Sequence, residues 1–469
     1  MKQRMNKQEE AIPEIVLRYE QMIAEGQVGF LEQRDFESII DFYESKNKFD
    51  QTTELVDLAI DRYPFQAGFL LSKASLLLAT GKLTEAEEII DKAYILAPSE
   101  WEVKFRKAEL AAMNRNFDTA LGIIDKIIDE QKEADFGMLY LLKGMIYQEI
   151  TDFRKMYESL KLSLEADHSN EQALHLFWLS VEICQEHEES IEFHQWLIDQ
   201  EPYSALAWSN LGHAYSCIEQ WAKAAEAFEY AYIIDKEFEF AYRDCAIAFI
   251  HLKEYQKALE VINEGLQYFS PDIEVLEQIG NCHIELGNFE EARIALLDGL
   301  SLDAQSNQLH YHLGRLHNRE GNFQKALIYL KRAIQFDKPR PEYYLELARV
   351  SDILGDRVAS DHYYEESCIL APDNLDFHLE YAEFKGKTFG EDYAMRFLKS
   401  LRDIFPDAAI NYCAIGIMLN LKSRKKGLDK LANALNKNYN QHTTLLKYFP
   451  KLMQDAEVNA IIASYKPMA

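Results

Sequence analysis

Bulky and small residues alternate with a fixed spacing in the segment 208–231. Trp208 is followed by Leu211 and Gly212, and a second apolar stretch carries Ala224, Phe228 and Ala231. Apolar positions three or four residues apart predict one face of a helix. The segment therefore predicts two helices joined by a short turn.

The same pattern recurs along most of the chain at a 34-residue step, with a single step of 36 between residues 104 and 140. Internal repeats of this length are typical of helical arrays, in which each unit buries its apolar face against its neighbours. We predict twelve units, which begin at residues 33, 67, 101, 137, 171, 205, 239, 273, 307, 341, 375 and 409.

Small residues at one position of each unit test this repeat most strictly. Ten of the twelve units have Gly or Ala there. The residues are Ile40, Ala74, Ala108, Gly144, Trp178, Gly212, Ala246, Gly280, Gly314, Ala348, Ala382 and Gly416. Two helices approach each other closely only where side chains are small, so the position predicts a helix–helix contact in every unit.

Glycines and prolines at fixed positions agree with the predicted helix pairs. Glycines in the segments 79–82, 285–288 and 319–322 suit a reversal between two helices. Prolines close five units and cannot continue a helix; they are Pro64, Pro98, Pro202, Pro372 and Pro406.

The residues Trp208, Leu211, Gly212, Tyr215, Ala224, Phe228 and Ala231 resemble the tetratricopeptide repeat motif, with Lys236 in place of its closing proline. The resemblance extends over about 410 of the 469 residues. It implies an all-α fold, a right-handed α–α superhelix (a solenoid) of about twelve helix-turn-helix repeats. Local departures are Trp178 for the usual Gly, and Met156 and Leu428 for the usual Ala.

Segments outside the repeats are expected to cover the apolar ends of the array. Residues 1–32 form the N-terminal cap, with an amphipathic helix over residues 9–25. The array then occupies residues 33–442. Residues 443–469 form a C-terminal cap of broken helices.

Charge and composition narrow the range of partners. The formal charge of −28 argues against nucleic acid and against anionic membrane surfaces as partners. There is no apolar run long enough for a signal peptide or a membrane span. Six scattered cysteines without a C-x-x-C pair fit a reduced, cytoplasmic protein.

Binding residues follow from the family resemblance. In tetratricopeptide arrays the second, fifth and ninth residues of each first helix point into a concave groove. The residues in these positions that we take as binding residues are Phe105, Leu141, Met145, Leu179, Phe240, Arg243, Ile247, Tyr311, Arg315 and Arg349. Aromatic and Arg side chains are frequent interface anchors. The resemblance thus implies a non-enzymatic scaffold that binds an unidentified peptide or protein.

The sequence gives little support for catalysis or for metal binding. Motifs such as H-E-x-x-H and G-x-S-x-G are absent. His310, His312 and His317 lie close together, but the family register gives His310 and His317 packing positions. We expect no metal, no cofactor and no enzymatic activity.

Chaperone-binding members of the family grip a C-terminal carboxylate with a Lys/Asn/Asn/Lys/Arg clamp. The corresponding residues here, in the units from 205, 239 and 273, are Ser209, His213, Asp244, Glu274 and Gln278. They do not make the clamp, and capture of a chaperone tail in this way is not expected.

A basic cluster near the end of the chain leaves a second function open. Its residues are Lys422, Arg424, Lys425 and Lys426. Residues 420–469 hold nine Lys and Arg against three Asp and Glu, a charge of +6, so the other 419 residues carry 41 against 75, or −34. The cluster is either a solvated turn or a docking point for an acidic partner. In the latter case the alternative function is an architectural homo-oligomer, assembled through its acidic body and basic end.

Overall fold

A computed structural model describes residues 13–25, 29–46, 48–335, 340–420 and 423–466. Within these residues every regular element is a helix, and there is no strand. No helix in the same ranges is both long and apolar enough to cross a membrane. The chain divides into two compact units, unit 1 at Met1–Asp235 and unit 2 at Lys236–Ala469. They are described separately below.

Unit 1 contains thirteen α-helices among its described residues. They are α1 (Glu14–Ala24), α2 (Gln33–Ser45), α3 (Phe49–Arg62), α4 (Ala67–Ala79), α5 (Leu83–Leu96), α6 (Trp101–Met113), α7 (Phe117–Glu130), α8 (Phe136–Glu149), α9 (Phe153–Ala166), α10 (Glu171–Cys184), α11 (His187–Gln200), α12 (Ala205–Cys217) and α13 (Trp221–Ile234).

Unit 2 continues the series and adds three short 3₁₀ turns, at Leu401–Asp403, Tyr439–Gln441 and Pro450–Gln454. Its α-helices are α14 (Glu239–His251), α15 (Tyr255–Gly265), α16 (Ile273–Leu286), α17 (Phe289–Leu302), α18 (Asn307–Arg319), α19 (Phe323–Ala333), α20 (Pro341–Ile353), α21 (Arg357–Leu370), α22 (Leu375–Thr388), α23 (Glu391–Ser400), α24 (Asp407–Asn420), α25 (Arg424–Lys437), α26 (His442–Tyr448) and α27 (Ala456–Ser464).

From α2 to α25 the helices come in pairs, in which we call the even-numbered helix the first helix and the odd-numbered one the second helix. Each first helix begins within two residues of a repeat start predicted from the sequence. The all-α repeat fold is therefore confirmed. The number of units and the exact limits of the array stay predictions.

Small residues let the helices of a pair touch, as the sequence predicts. A Cβ atom added to Gly212 of α12 would lie 2.6 Å from the ring of Phe228 on α13. One added to Gly144 of α8 would lie 2.7 Å from Leu160 on α9. Glycine is therefore required at these positions, because the partner side chain fills the space that a larger residue would need.

Trp178 departs from this rule and changes the local packing. It occupies the small position of α10, and α10 packs mainly against α9 while α11 packs mainly against α12. The indole stacks on His213 of α12, with ring centroids 5.4 Å apart. A side chain of this size holds α10 away from α11, which gives this pair a looser contact than its neighbours.

Among the turns that the structure describes in full, the connection within a pair repeats one hydrogen-bonded geometry. Gly81 has φ +73°, and its neighbour Lys82 donates its backbone N–H to the carbonyl of Leu77 at 2.9 Å. This is a Schellman closure, which needs a left-handed residue after the helix. Among the described residues, five pairs have a residue other than glycine there: Arg115, Thr151, Gln185, Glu219 and Lys253.

The ends of the array are covered by additional helices. Val16 and Tyr19 of α1 pack on Phe36 and Tyr43 of α2. Pro13 is the N-cap of α1, and residues 9–12 of the predicted N-terminal helix lie outside the described residues. At the other end, Phe449 enters the small position at Gly416 of α24. All six cysteines are described, and none forms a disulfide.

Candidate binding surfaces

The residues that the sequence places in a groove lie on the first helices. Within unit 1, α4 contacts α6 and α6 contacts α8. Residues three or four positions apart on a helix share one side, so the second, fifth and ninth residues of these helices form a common surface. We call this surface the first-helix face.

In unit 1 the first-helix face holds an apolar cavity of about 760 Å³. Phe105, Leu141 and Met145, all taken as binding residues from the sequence, line it together. Phe105 is buried, Leu141 is half-buried and Met145 is exposed. The volume falls within the roughly 300–1,000 Å³ that is usual for ligand sites.

Additional lining residues were not among the predicted binding residues. Met138 could have been identified, because it is the second residue of the repeat that starts at 137. Others belong to the last turn of their helices, which the second–fifth–ninth rule does not reach. These are Leu78, Ala79, Ala112, Met113 and Ile146.

The charged groups at the cavity are few. Glu109, Arg115 and Glu149 are the charged residues that line it. Arg106, next to them on α6, forms an ion pair with Glu109 and places its guanidinium 5.5 Å from the ring centroid of Phe105. The walls are thus mainly methionine, leucine and phenylalanine.

Leu179 of α10 is exposed but does not line this cavity. Three of the predicted residues therefore share one cavity in the structure, whereas a binding groove, and its extension to Leu179, stay predictions.

Unit 2 presents a different first-helix face. Phe240 of α14 is 55% exposed, and the guanidinium of Arg243 lies 4.9 Å from its ring centroid. Arg243 also donates a hydrogen bond of 2.7 Å to Glu274 of α16. Ile247, one turn further along α14, is half-buried. This arginine is already paired within the chain.

The other two predicted arginines of unit 2 are paired in the same way. Arg315 of α18 donates to Asn281 of α16 at 2.8 Å and forms an ion pair with Glu285. Its guanidinium lies 5.7 Å from the ring centroid of Tyr311. Arg349 of α20 makes two hydrogen bonds of 2.7 Å to Glu380 of α22.

These pairs change the chemistry of the face. Hydrogen bonding to Glu380, together with the charges of Glu380 and Glu346, raises the pKa of the Arg349 guanidinium. Burial raises the pKa of Asp244 to about 6, an effect that Arg243 opposes and Glu274 reinforces. A partner that used these arginines as anchors would have to displace carboxylates of the chain itself.

The three close histidines serve packing and local hydrogen bonding. His317 stacks on Tyr329, with ring centroids 5.3 Å apart, and its Nδ1 lies 2.9 Å from Glu320. His312 Nε2 lies 2.9 Å from Glu277. His310 Nε2 lies 3.1 Å from the carbonyl oxygen of Ala304. The three rings thus face three different partners.

The basic cluster is divided by its contacts. Lys422 lies outside the described residues. Arg424 is bound within unit 2, where it donates to Asp455 at 2.7 and 2.8 Å and to Glu457 at 2.9 Å. Lys425 and Lys426 are exposed. Arg424 therefore holds α25 to the start of α27, and the neighbouring lysines remain open to solvent.

Comparison with known proteins was consistent with the repeat pattern. A family model described as "Tetratricopeptide repeat" matches residues 45–100, 71–135 and 278–341, about a third of the chain in all.

Two curated relatives align with part of the chain. The Hsp70-Hsp90 organizing protein of Triticum aestivum is 24% identical over 263 residues, which cover 53% of this chain and 41% of the relative. Tetratricopeptide repeat protein 21A of Mus musculus is 26% identical over 210 residues, which cover 43% of this chain and 15% of the relative. The chain therefore spans less than half the length of either relative.

Two solved structures align over most of their length. In the APC/C hetero-tetramer Cut9-Hcn1, the match covers 84% of this chain and 90% of that chain, with 15% identity and a TM-score of 0.43. For yeast Tom70, the match covers 92% of this chain and 99% of that chain, with 12% identity and a TM-score of 0.44.

Proposed function

Because this chain is a tetratricopeptide repeat protein, with the interaction role that its scaffold relatives support, we propose that it binds a partner protein through the apolar cavity of unit 1. The proposed ligand is a segment that carries two or three apolar side chains. The single observation behind the proposal is the 760 Å³ cavity that Phe105, Leu141 and Met145 line together.

The shape and composition of the cavity favour apolar side chains as the bound groups. Methionine is unbranched and polarizable, and Met113, Met138 and Met145 all line the cavity. Such a wall adapts to aliphatic or aromatic groups of different shape. Each fully buried side chain contributes about 1.5–3 kcal/mol, so two or three anchors supply about 3–9 kcal/mol toward the cost of association, and the remaining contacts of the segment supply the rest.

The polar first-helix face of unit 2 is not the proposed binding site. Arg243, Arg315 and Arg349 are each held by a carboxylate or an amide of a neighbouring first helix. Such pairs keep neighbouring helices at fixed distances. We assign these three arginines to the stiffness of the array, and the binding energy to unit 1.

Capture of a chaperone tail is not part of the proposal, although one relative is named as an Hsp70-Hsp90 organizing protein. Asp244 and Glu274 stand where the family's carboxylate clamp carries Asn and Lys. Acidic groups at these positions repel a terminal carboxylate. Tetratricopeptide families are typically scaffolds without catalysis, and the proposal assigns no catalysis to this chain.

The experiment is an affinity capture from native extract, followed by titration calorimetry of the captured protein. The test variant is Met138→Glu with Met145→Glu, which puts two charges on exposed positions of the cavity. The matched control is Phe65→Glu with Ile95→Glu, two exposed apolar residues of unit 1 that do not line the cavity.

We expect the control to bind like the wild type and the test variant to bind at least ~30-fold more weakly, which corresponds to the loss of about one anchor. Equal affinity for the test variant and the wild type would reject the cavity as the binding site. Circular dichroism checks that both variants keep their helix content.

A further inference from the structure

Three lysines of α25 form an exposed stripe. Lys426, Lys430 and Lys437 lie at positions i, i+4 and i+11, which share one side of a helix with 3.6 residues per turn. Within the described part of the chain, none of them forms an ion pair, whereas Arg424 on the same helix is held by Asp455 and Glu457. We call these three residues the basic stripe.

The basic residues in the first turn of α25 do not serve the stability of that helix. Its first turn contains Arg424, Lys425 and Lys426 and no acidic residue. Cations near a helix N-terminus are opposed by the helix dipole, which favours anions there. Arg424 is compensated by its two acidic partners. Lys426 has no such compensation among the described residues, which is consistent with a role for the stripe outside its own helix.

An acidic stripe of the same spacing lies on α11. Glu188, Glu192 and Asp199 also stand at i, i+4 and i+11, all three are exposed, and none of them is ion-paired in the part of the chain that the structure describes. Position i+7 is a neutral amide in both helices, Gln195 on α11 and Asn433 on α25. The two stripes therefore match residue by residue, with opposite charge.

The sequence around the acidic stripe is itself acidic, which strengthens the negative electrostatic potential at the stripe. Residues 162–222 contain eleven Asp and Glu and no Lys or Arg. Long-range attraction between surfaces depends on such regional charge as well as on individual pairs. The acidic stripe thus lies in the segment that lacks basic residues, and the basic stripe lies in the C-terminal segment of charge +6.

We propose that the basic stripe of one copy docks on the acidic stripe of a second copy. The contact joins two different surfaces, so it is heterologous, and it propagates to longer assemblies unless it closes into a ring. Three exposed pairs in matching register give a weak contact that salt screens. This self-association is independent of the apolar cavity of unit 1.

Sedimentation velocity on the full chain at ~50 mM and ~500 mM NaCl tests this proposal. These concentrations lie below and above ~100 mM, at which the Debye length is ~10 Å. The expected result for the wild type is association at low salt and a monomer at high salt. A wild type that stays monomeric at low salt, at the highest soluble concentration, would overturn the proposal.

Charge reversal identifies the surfaces. The variant Lys426→Glu/Lys430→Glu/Lys437→Glu and the variant Glu188→Lys/Glu192→Lys/Asp199→Lys are each expected to associate at least ~10-fold more weakly than the wild type. An equimolar mixture of the two is expected to associate again, because every reversed stripe then meets a reversed partner.

Controls separate this contact from general charge effects. Lys82→Glu/Lys92→Glu/Lys126→Glu makes the same change in net charge on exposed lysines of unit 1, and is expected to associate nearly as well as the wild type. If a reversed variant loses helix content, Lys426→Gln/Lys430→Gln/Lys437→Gln replaces it. Equal loss in the control, or a mixture that stays monomeric, would overturn the proposed contact.

Discussion

Arg349 and Glu380 stand 31 residues apart on consecutive first helices, and the guanidinium donates two hydrogen bonds of 2.7 Å to the carboxylate. A third bond, of 3.0 Å, joins Arg349 to Glu346 on its own helix. The hydroxyl of Tyr364 also donates to Glu380, at 3.1 Å. The arginine thus fixes α20 against α22 through a planar, two-bond contact.

Arg349→Lys should lower the free energy of unfolding by about 1 kcal/mol, because an ammonium group cannot make the two parallel bonds. The effect is limited by solvent, since the Arg349 side chain is 44% exposed. Urea unfolding measures it. Arg357→Lys, at an exposed arginine of α21, is the control and should change little; a similar loss in both would remove the special role of the Arg349–Glu380 pair.

Gly212→Ala should destabilise the protein by about 1–3 kcal/mol, because the added methyl group would lie 2.6 Å from the Phe228 ring. Gly122→Ala provides the matched comparison. No atom lies within 4 Å of a Cβ placed there, and Gly122 is an exposed residue inside α7. That change should stabilise by about 0.5–1 kcal/mol through helix propensity. Thermal unfolding measures both changes. If the two variants changed the stability in the same direction, the packing described would be contradicted.

Thr151→Gly should raise the thermal stability. Thr151 has φ +59°, in the left-handed region that costs a residue with a Cβ about 1–2 kcal/mol, and a β-branched residue fits it least well. Part of this gain is lost to the flexibility of glycine in the unfolded chain, so the net effect is about 0.5–1 kcal/mol. The reverse change, Gly321→Thr, places threonine at φ +79° and should destabilise. Calorimetry of the two variants should therefore show melting temperatures shifted in opposite directions.

His194 should make stability depend on pH below neutrality. The ring is completely buried on α11, and burial lowers its pKa to about 4, although a bond to the backbone of Ser190 opposes the shift. Since the unfolded chain binds this proton at about pH 6.5, the folded state binds fewer protons between pH 6.5 and 4. Stability is therefore lost as the pH falls through this window, by up to about 3 kcal/mol.

Urea unfolding from pH 7 to pH 4 checks this, with His194→Phe as the non-titrating comparison. The variant should lose less stability across the window than the wild type, because carboxylates titrate equally in both. Parallel curves would mean that His194 does not contribute to the acid dependence.

The sequence was sufficient to identify the repeats and three of the residues that line the cavity in unit 1. Phe105, Leu141 and Met145 come together because the 34- and 36-residue steps keep equivalent residues on one side of successive first helices. Small residues such as Gly144 and Gly212 predicted the contacts that they make. In these cases local periodicity and tertiary packing obey the same rule.

The sequence was less informative where contacts cross between repeats. Arg243, Arg315 and Arg349 were predicted to be partner anchors, yet each is engaged by a residue about one repeat away. With 78 acidic residues, no spacing rule selects Glu274 or Glu380 as the partner. The last-turn residues of the cavity and the left-handed conformation of Thr151 were missed for a similar reason, since both depend on how a helix ends.

The central claim, that the cavity of unit 1 holds the partner, is tested most directly by site-specific photo-crosslinking in native extract. A benzophenone amino acid at position 145 lies in the cavity, and one at position 95 lies on an exposed second helix of the same unit. We predict a discrete crosslinked partner from position 145, lost when Met138→Glu is added, and none from position 95. Crosslinks to the same protein from position 95 but not from position 145 would contradict the account.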